Sequence, residues 1–315
     1  MKNCTETLKA LSAGIGKAVV GKEAKIELVL AAFLAGGHVL LEDVPGTGKS
    51  TLAKAIARSV DCTFHRIQFT PDLLPADITG INIYNRQTDT FELRKGPVFC
   101  GILLADEINR ATPRTQSALL ECMGEGHVSI DGVTHPLDQP FFVIATENPV
   151  ESKGTFPLPE AQLDRFMIRI SLGYPDNIAE EDMVKKYLND FSAPVDDLTP
   201  VCTGEDIMHL RHTIRQVAVS PKVISYAVSI TDATRNDTAL RLGASPRGTL
   251  FLLRMAQALS FMDGRDYVLP DDIKKAAVPV LAHRVLPSAQ NRLKLSRSTP
   301  EIIERIVSSV PSPVD

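Results

Sequence analysis

The sequence lacks cysteines at the spacing of a disulfide framework or of a zinc site. No two of its five cysteines form a CxxC pair, and no histidine lies at zinc-finger spacing from one of them. An odd number of widely scattered cysteines predicts reduced thiols and a reducing, cytoplasmic compartment. The cysteines are Cys4, Cys62, Cys100, Cys122 and Cys202.

Long apolar runs and an excess of one charge are also lacking. No stretch reaches the ~18 apolar residues of a membrane span, and the start MKNCTETLKALSAG has no apolar signal-peptide region. With 34 basic and 38 acidic residues the net charge is −4, which gives no electrostatic footprint for nucleic acid. We therefore expect a cytoplasmic protein, soluble or at most peripheral to a membrane, with nucleic acid as a disfavoured partner. The sequence has no internal repeats, low-complexity segments or charge runs.

What is present is enough apolar sequence for two domains. The chain has 315 residues, 44% of them hydrophobic, and is too long for one ordinary core. From His38 to about Ser171, strand-like and helix-like segments alternate, which predicts a mostly parallel sheet with helices on both faces. After about Val195 only helical patterns remain. Ser220-Pro221, Ser245-Pro246 and Thr299-Pro300 each predict an N-cap residue followed by Pro at the first helical position. We predict an α/β domain over residues 1–190 and an all-α domain over residues 191–315.

Two segments with polar centres interrupt the alternation. Residues 80–94 alternate apolar and polar positions, and residues 127–137 carry Asp131-Gly132 between two extended runs. An Asp-Gly pair in that setting is a strong hairpin signal. Both segments are predicted to be hairpins inserted into the α/β core.

The segment VPGTGKS, from Val44 to Ser50, has the composition of a phosphate-binding loop between a buried strand and a helix. Its glycines let backbone N–H groups turn toward phosphate oxygens, Lys49 would contact the β- and γ-phosphates, and Ser50 would ligate Mg²⁺. The full pattern has glycine where Asp43 stands, and phosphates would repel a carboxylate. We therefore expect Asp43 to point away from the loop. The candidate nucleotide-binding residues here are Pro45, Gly46, Thr47, Gly48, Lys49, Ser50 and Thr51.

About 60 residues after the loop, the apolar run GILLADE ends in Asp106 and Glu107. A strand would place Asp106 at its carboxyl edge beside the phosphate loop, where it could hold Mg²⁺. Glu107 could polarise a water molecule for attack on the γ-phosphate. A buried strand that ends in Asp-Glu is more often structural when it stands alone, and the upstream loop is what favours the catalytic interpretation.

A third buried run, FFVIATENP, ends in Thr146, Glu147 and Asn148. The neutral amide of Asn148 could hydrogen-bond the γ-phosphate or the attacking water without adding charge. From spacing alone, a polar strand end that makes a turn before Pro149 is an equally good interpretation.

Four segments, in this order, resemble the MoxR family of AAA+ ATPases: the phosphate loop, ADEINRA, ATENPVESKGTFPLPEAQLDRF and GASPRG. The resemblance covers nearly the whole chain. It implies an α/β P-loop AAA+ core, a parallel sheet sandwiched by helices with inserted hairpins, followed by an all-α lid domain. It also implies Mg²⁺-dependent hydrolysis of ATP to ADP by a ring, usually a hexamer, that remodels partner proteins. The family is associated with partners that carry von Willebrand factor A domains.

The resemblance also implies roles for five residues. Asn148 matches the sensor-1 asparagine, Arg165 the arginine finger that reaches a neighbouring subunit's nucleotide, and Arg247 the sensor-2 arginine of the lid. Val20 and Gly21 match the adenine-side loop. Taken as sequence, Arg165 could instead pair with the adjacent Asp164, and Val20-Gly21 could be an ordinary helix connector. A cation in the first turn of a helix is unfavourable, and a phosphate facing Arg247 would explain it.

Three functions remain open from the sequence. The first is a chaperone-like motor that couples ATP turnover to remodelling or activation of a protein. The second is the same ATPase acting on nucleic acid, against which the mixed charge of the two hairpins argues. The third is a nucleotide switch or small-molecule kinase, which has no need of Glu107 as a water-activating acid.

Overall fold

The computed structural model describes residues 2–150, 154–189, 195–288 and 298–313. The predicted domain boundary at residues 190 and 191, and residues 151–153 of the segment that follows Asn148, lie outside the described residues. Within the described ranges, no helix combines the length and apolar character needed to cross a bilayer.

The α/β part follows the predicted order of elements. Its helices and strands are α1 (Lys2–Ala18), α2 (Glu23–Leu34), β1 (Val39–Glu42), α3 (Lys49–Ser59), β2 (Phe64–Gln68), α4 (Pro75–Thr79), β3 (Gly80–Asn85), β4 (Thr90–Lys95), β5 (Ile102–Asp106), α5 (Pro113–Glu125), β6 (His127–Ile130), β7 (Val133–Pro136), β8 (Phe142–Glu147), α6 (Glu160–Leu163), β9 (Ile168–Ile170) and α7 (Asn177–Asn189).

Five parallel strands form the central sheet in the order β2-β5-β8-β1-β9. Side chains alternate across each strand, so Val39 and Leu41 of β1 join one hydrophobic cluster while Leu40 joins the other. Burial of both faces explains why these strands read as continuous apolar runs. All parallel strands end at one edge, so the segments that follow β1, β5 and β8 are brought together.

The two predicted hairpins are confirmed. β3 pairs with β4 and β6 pairs with β7, both antiparallel and outside the main sheet. Asp131 and Gly132 form the second turn with φ of 49° and 80°, the left-handed values that a tight hairpin turn requires. Asn82 Nδ2 donates to Asp131 Oδ2 at 2.8 Å and so joins one hairpin to the other.

The C-terminal part is mainly helical, as predicted, with one correction. Its elements are α8 (Gly204–Ile214), α9 (Pro221–Asn236), β10 (Leu240–Leu242), α10 (Pro246–Met262), α11 (Pro270–Leu281), β11 (Leu286–Pro287) and α12 (Thr299–Ser309). The sequence predicted no strand after Val195, but β10 and β11 form a short antiparallel pair. Two and three residues are too few for a periodic pattern to show. Ser220 and Ser245 are N-caps as predicted, whereas α12 has its N-cap at Ser298, one residue earlier than expected.

One hydrophobic cluster runs from the sheet into the helical part. It joins β1 and β5 to α2 and then to α10 and α11. Arg284 follows α11 and crosses the junction with its side chain only 1% exposed, donating from Nε to Asp164 Oδ1 at 2.9 Å. Its other nitrogens donate to the carbonyl oxygens of Phe166, Met167 and Val280. The helical part is therefore fixed to the core at the segment that enters β9.

Candidate active site

A cavity of about 670 Å³ lies at the carboxyl edge of the sheet. Its size is within the range of about 300–1,000 Å³ that is usual for small-molecule sites. Most of the residues that the sequence proposed line it: Val20, Pro45, Gly46, Thr47, Gly48, Lys49, Ser50, Thr51, Asp106, Glu107 and Asn148. Gly21, Arg165 and Arg247 are not among the lining residues.

The loop between β1 and α3 has the backbone of an anion cradle. Gly46 and Gly48 both have φ of 86°, a conformation that side chains with a Cβ rarely adopt. A Cβ at either position would meet nothing within 4 Å, so both glycines border open space. α3 begins at Lys49, and its first N–H groups have no partner within the helix and point toward the cavity end of the loop. Lys49 Nζ lies over the loop and donates to the carbonyl oxygens of Asp43 at 3.1 Å and Val44 at 2.7 Å.

Asp43 points away from the loop, as expected. Its carboxylate accepts from Ser171 Oγ at 2.9 Å and from the backbone N–H groups of Leu172 at 2.5 Å and Gly173 at 3.1 Å. These donors follow β9, the strand beside β1, and the side chain is buried. The carboxylate therefore ties two strand ends together and does not oppose a phosphate.

Asp106 ends β5 with both carboxylate oxygens hydrogen-bonded. Oδ1 accepts from Thr146 Oγ1 at 2.6 Å. Oδ2 accepts from Arg66 of β2 twice, from Nη2 at 2.6 Å and from Nε at 3.2 Å. The buried carboxylate is thus oriented by the strands on either side of it.

Glu107 has a left-handed backbone conformation. Its φ of 56° and ψ of 52° are left-handed, which is uncommon for a residue with a side chain. Its N–H donates to Thr146 Oγ1 at 2.8 Å, and its Oε2 accepts from Gln68 Nε2 at 2.7 Å and Arg110 Nη1 at 3.1 Å. The turn separates the two acids, so that Asp106 faces Arg66 while Glu107 faces Gln68.

Asn148 and Glu147 continue β8 into the cavity. Asn148 is buried, and its Oδ1 accepts from the Val150 N–H at 3.1 Å, which is the turn considered as the alternative to a phosphate contact. Asn148 also lines the cavity. Burial, and after it the charge of Glu42 on the neighbouring strand, raise the pKa of Glu147 from 4.5 to about 7, although Arg169 acts in the opposite direction.

The far end of the cavity is less polar. Val20 lines it together with Tyr174, Ala179 and Met183, the last two from α7. Gly21 has φ of 71°, and a Cβ there would lie 2.6 Å from the Ala179 Cβ. The absence of a side chain at Gly21 therefore allows the connector between α1 and α2 to pack closely against α7.

Arg165 and Arg247 lie at the other edge of the sheet. Arg165 precedes β9, whose first residue, Ile168, is paired with Val39 at the start of β1. The loop follows the opposite end of β1, about 13 Å of strand away at ~3.3 Å per residue. Arg165 donates to the Leu120 carbonyl of α5 and not to Asp164. Asp164 instead pairs with Arg284 and, at 3.6 Å, with Arg247.

The donor set at the carboxyl edge fits a magnesium-bound nucleotide. Within the described part of the chain, no group of three or more His, Cys, Asp or Glu could hold a metal ion. Mg²⁺ is usually held by one or two protein oxygens and completed by phosphates and water. The Ser50 hydroxyl and the Asp106 carboxylate in one cavity are such a partial set.

Comparison with known proteins agrees with this geometry. Residues 38–168 match the model of the ATPase family associated with various cellular activities (AAA), and residues 232–306 match the AAA lid domain. Chaperone MoxR1 of Mycobacterium tuberculosis is 39% identical over 98% of this chain and 82% of its own length. The chain belongs to the MoxR family of AAA+ ATPases.

Two further relatives of this MoxR-family chain span nearly its whole length. Protein YeaC of Bacillus subtilis, of uncharacterised function, is 47% identical over 95% of this chain and 93% of its own. A crystal structure from Cytophaga hutchinsonii, provisionally assigned as an ATPase, has a TM-score of 0.91 at 40% identity. It covers 99% of this chain and 96% of that one. The α/β core, the parallel sheet and the lid are thus those of the family.

Sequence reasoning missed the two polar residues of β2 that contact the acids. Arg66 and Gln68 are two residues apart, so they share one face of the strand. That spacing is visible in FHRIQ. Its meaning depends on β2 lying beside β5, which the sequence does not state.

Proposed function

We propose that this MoxR-family chain hydrolyses Mg·ATP in a ring and uses the turnover to remodel or activate a partner protein. The observation that carries the proposal is the division of the chemistry between two edges of one sheet. The phosphate loop, Asp106 and Glu107 share a cavity at one edge, and Arg165 and Arg247 lie at the other. A chain with this layout holds a nucleotide at one edge and offers arginines to a second nucleotide at the other.

Each cavity residue has a role that follows from its place. The loop N–H groups and Lys49 bind the phosphates, and Ser50 and Asp106 hold the metal. Bound there, Mg²⁺ would neutralise phosphate charge and orient the γ-phosphate. Glu107 polarises the attacking water, and Asn148 donates to it or to the γ-phosphate. Val20, and Gly21 through its packing on Ala179, form the base end of the cavity.

Arg165 and Arg247 serve the neighbouring subunit. Arg165 is separated from its own loop by the length of β1, and its guanidinium would meet the next subunit's γ-phosphate in the ring, whose usual size in the family is six. A guanidinium offers five donors in a fixed plane to charge that spreads over the phosphate oxygens. Arg247 lies in the first turn of α10 at 3.6 Å from Asp164, so it would face the same interface from the lid.

Protein remodelling is the favoured use of the turnover. A relative of 39% identity bears the name of a chaperone, and the two joined hairpins carry mixed charges and exposed apolar side chains such as Tyr84 and Phe91. A mixed surface suits protein better than nucleic acid. A partner with a von Willebrand factor A domain is the family's association and is proposed on that ground alone.

The proposed ATPase activity is tested by measuring the rate of phosphate release from ATP by the wild type and two variants. Lys49→Ala should lose ATP binding, because the cavity loses its phosphate-facing cation. Glu107→Gln should bind ATP but lose at least about 100-fold in turnover, since an amide cannot polarise water as a carboxylate does. Melting with Mg·ATP provides the binding readout. A ligand at ~100 times its dissociation constant adds about 2.7 kcal/mol to the native state.

The outcomes separate three possibilities. Equal thermal shifts in wild type and Lys49→Ala would remove the binding site from the loop. More than about a tenth of wild-type turnover in Glu107→Gln would move water activation to another group. A steep salt dependence of DNA binding at micromolar affinity would favour nucleic acid as the partner.

A further inference from the structure

Arg66 occupies an unusual place for a cation in this cavity. Of the described residues that line the cavity it is the only arginine. Its Nη2 and Nε both donate to Asp106 Oδ2, at 2.6 and 3.2 Å, and Nη2 also donates to Gln68 Oε1 at 3.1 Å. Its side chain is 49% exposed, whereas that of Asp106 is 12% exposed. A half-exposed guanidinium thus covers a nearly buried carboxylate.

The ion pair leaves Asp106 with little capacity for a second cation. Oδ1 accepts one hydrogen bond, from the Thr146 hydroxyl, and Oδ2 accepts two, from Arg66, so three of the roughly four acceptor sites of the carboxylate are used. A divalent ion bound to Asp106 would lie close to the guanidinium, and the two cations would repel. A triphosphate in the cavity would add negative charge on the opposite side of the metal and offset that repulsion.

We propose that Arg66 makes metal binding at Asp106 depend on the nucleotide. In the nucleotide-free chain the guanidinium neutralises Asp106 and keeps divalent ions away. When the phosphates are present, Arg66 and the metal share the negative charge of the cavity. Arg66 is thus a positioning residue, and the inference rests on the proposed role of Asp106 in holding the metal.

The local structure allows the guanidinium to shift without a backbone change. Arg66 lies within β2, whose backbone is fixed by its pairing with β5 from Phe64 to Gln68. The exposed half of the side chain borders the cavity and not the core. Rotation of the side chain alone can therefore change its distance from Asp106.

Binding of Mn²⁺ alone to the nucleotide-free protein tests the proposal, with electron paramagnetic resonance reporting free Mn²⁺. Arg66→Gln should bind Mn²⁺ about tenfold more tightly than wild type, because a unit charge within about 5 Å of the ion is removed. Arg66→Lys keeps the charge and should stay as weak as wild type. Asp106→Asn, added to Arg66→Gln, should abolish the gain.

Arg94→Gln is the matched control. It removes the same charge from exposed β4, outside the cavity, and should leave Mn²⁺ affinity unchanged. Equal melting temperatures of the variants without metal establish that each is folded. Equal Mn²⁺ affinity of wild type and Arg66→Gln would overturn the proposal. So would tight binding by Arg66→Lys, or a gain that persists when Asp106 is replaced.

The Mn²⁺ measurement does not depend on ATP turnover, so failure of the inference about Arg66 can be distinguished from failure of the proposed function. If Asp106→Asn alone leaves Mn·ATP affinity and hydrolysis intact, the metal role of Asp106 in the proposed function is wrong. If that variant is impaired while Arg66→Gln gains no Mn²⁺ affinity, only the inference about Arg66 fails.

Discussion

Glu147 ends β8 at the cavity, in a place where burial changes its titration. The residue lies beside Glu42 in the parallel register of β1 and β8. Burial and that neighbouring charge raise its pKa from 4.5 to about 7. Between pH 4.5 and about pH 7, the folded chain therefore still holds a proton on Glu147 that the unfolded chain has released. Stability contributed by the protonated form is present below about pH 4.5 and is lost as the pH rises to about 7.

Glu147→Gln should remove this pH dependence from the nucleotide-free protein. The amide stays neutral, so the melting temperature of the variant should rise relative to wild type as the pH increases from 5 to 8. The measurement is the difference between the two melting temperatures at each pH. Glu180→Gln, an exposed carboxylate at the same cavity, is the control and should give a difference that stays flat. A flat difference for Glu147→Gln as well would show that burial does not shift this group.

The lid and the core meet through α2, α10 and α11, which contribute no residue to the lining of the cavity. α10 packs on α2, and Arg284 after α11 joins the segment that enters β9. The same segment carries Asp164 and Arg165. The lid can therefore influence the arginine proposed for the neighbouring subunit through direct contact with the residue before it.

Arg284→Met should destabilise the protein by about 3–5 kcal/mol, because a buried ion pair is broken and several buried carbonyl groups lose their donor. Methionine fills much of the volume, so the loss reports the polar contacts. Arg305→Met is the matched control, since Arg305 pairs with Asp237 at 2.6 Å within the lid but is 41% exposed. An exposed pair contributes only about 0–1 kcal/mol. Urea unfolding of both variants compares the two losses, and equal losses would contradict the structural role given to Arg284.

At the scale of the whole molecule, the proposed mechanism needs a second subunit. The cavity and the two outlying arginines belong to one chain but lie at opposite ends of its parallel strands. In the proposed mechanism, a subunit without Arg165 would still bind ATP, and one without Lys49 would still lend its arginine. Their defects are therefore complementary in a mixed ring.

Arg165→Ala and Lys49→Ala should each be nearly inactive alone and regain part of the wild-type activity when mixed. An arginine supplied by a neighbour is worth about 10³–10⁵ in rate in comparable phosphoryl-transfer enzymes, so the gain should be easily measured. Wild-type specific activity should also rise with protein concentration as rings assemble. Arg247→Ala, mixed with Lys49→Ala, should behave in the same way if Arg247 serves the adjoining site.

The matched negative control mixes Lys49→Ala with Glu107→Gln. Neither subunit can hydrolyse ATP at its own cavity, whichever arginine it receives, so this mixture should remain inactive. If Arg165→Ala with Lys49→Ala also stays inactive while mixed assembly is confirmed, Arg165 does not act on a neighbour. Activity that is constant down to a proven monomer would lead to the same conclusion.

The sequence by itself determined the features that depend on neighbouring residues. Gly46 and Gly48 specify a left-handed loop before a helix, Asp131-Gly132 specifies a tight turn, and alternating strands and helices specify a parallel sheet. The position of Asp106 and Glu107 at a strand end follows from the same local pattern. The expectation that Asp43 points away from the loop also came from charge alone, although its partners could not be named.

Only the tertiary structure decided which distant segments meet. The pairing of β9 with β1 brings the Ser171 hydroxyl and the N–H groups of Leu172 and Gly173 within hydrogen-bonding distance of the Asp43 carboxylate. The pairing of β2 with β5 brings Arg66 to Asp106. Because β9 runs parallel to β1, Arg165, which precedes β9, lies at the edge of the sheet opposite the loop that follows β1. Strand order and the short β10-β11 pair depend on burial of apolar surface summed over the whole chain. No local pattern of residues encodes that sum, because contacts between segments far apart in sequence compete with one another.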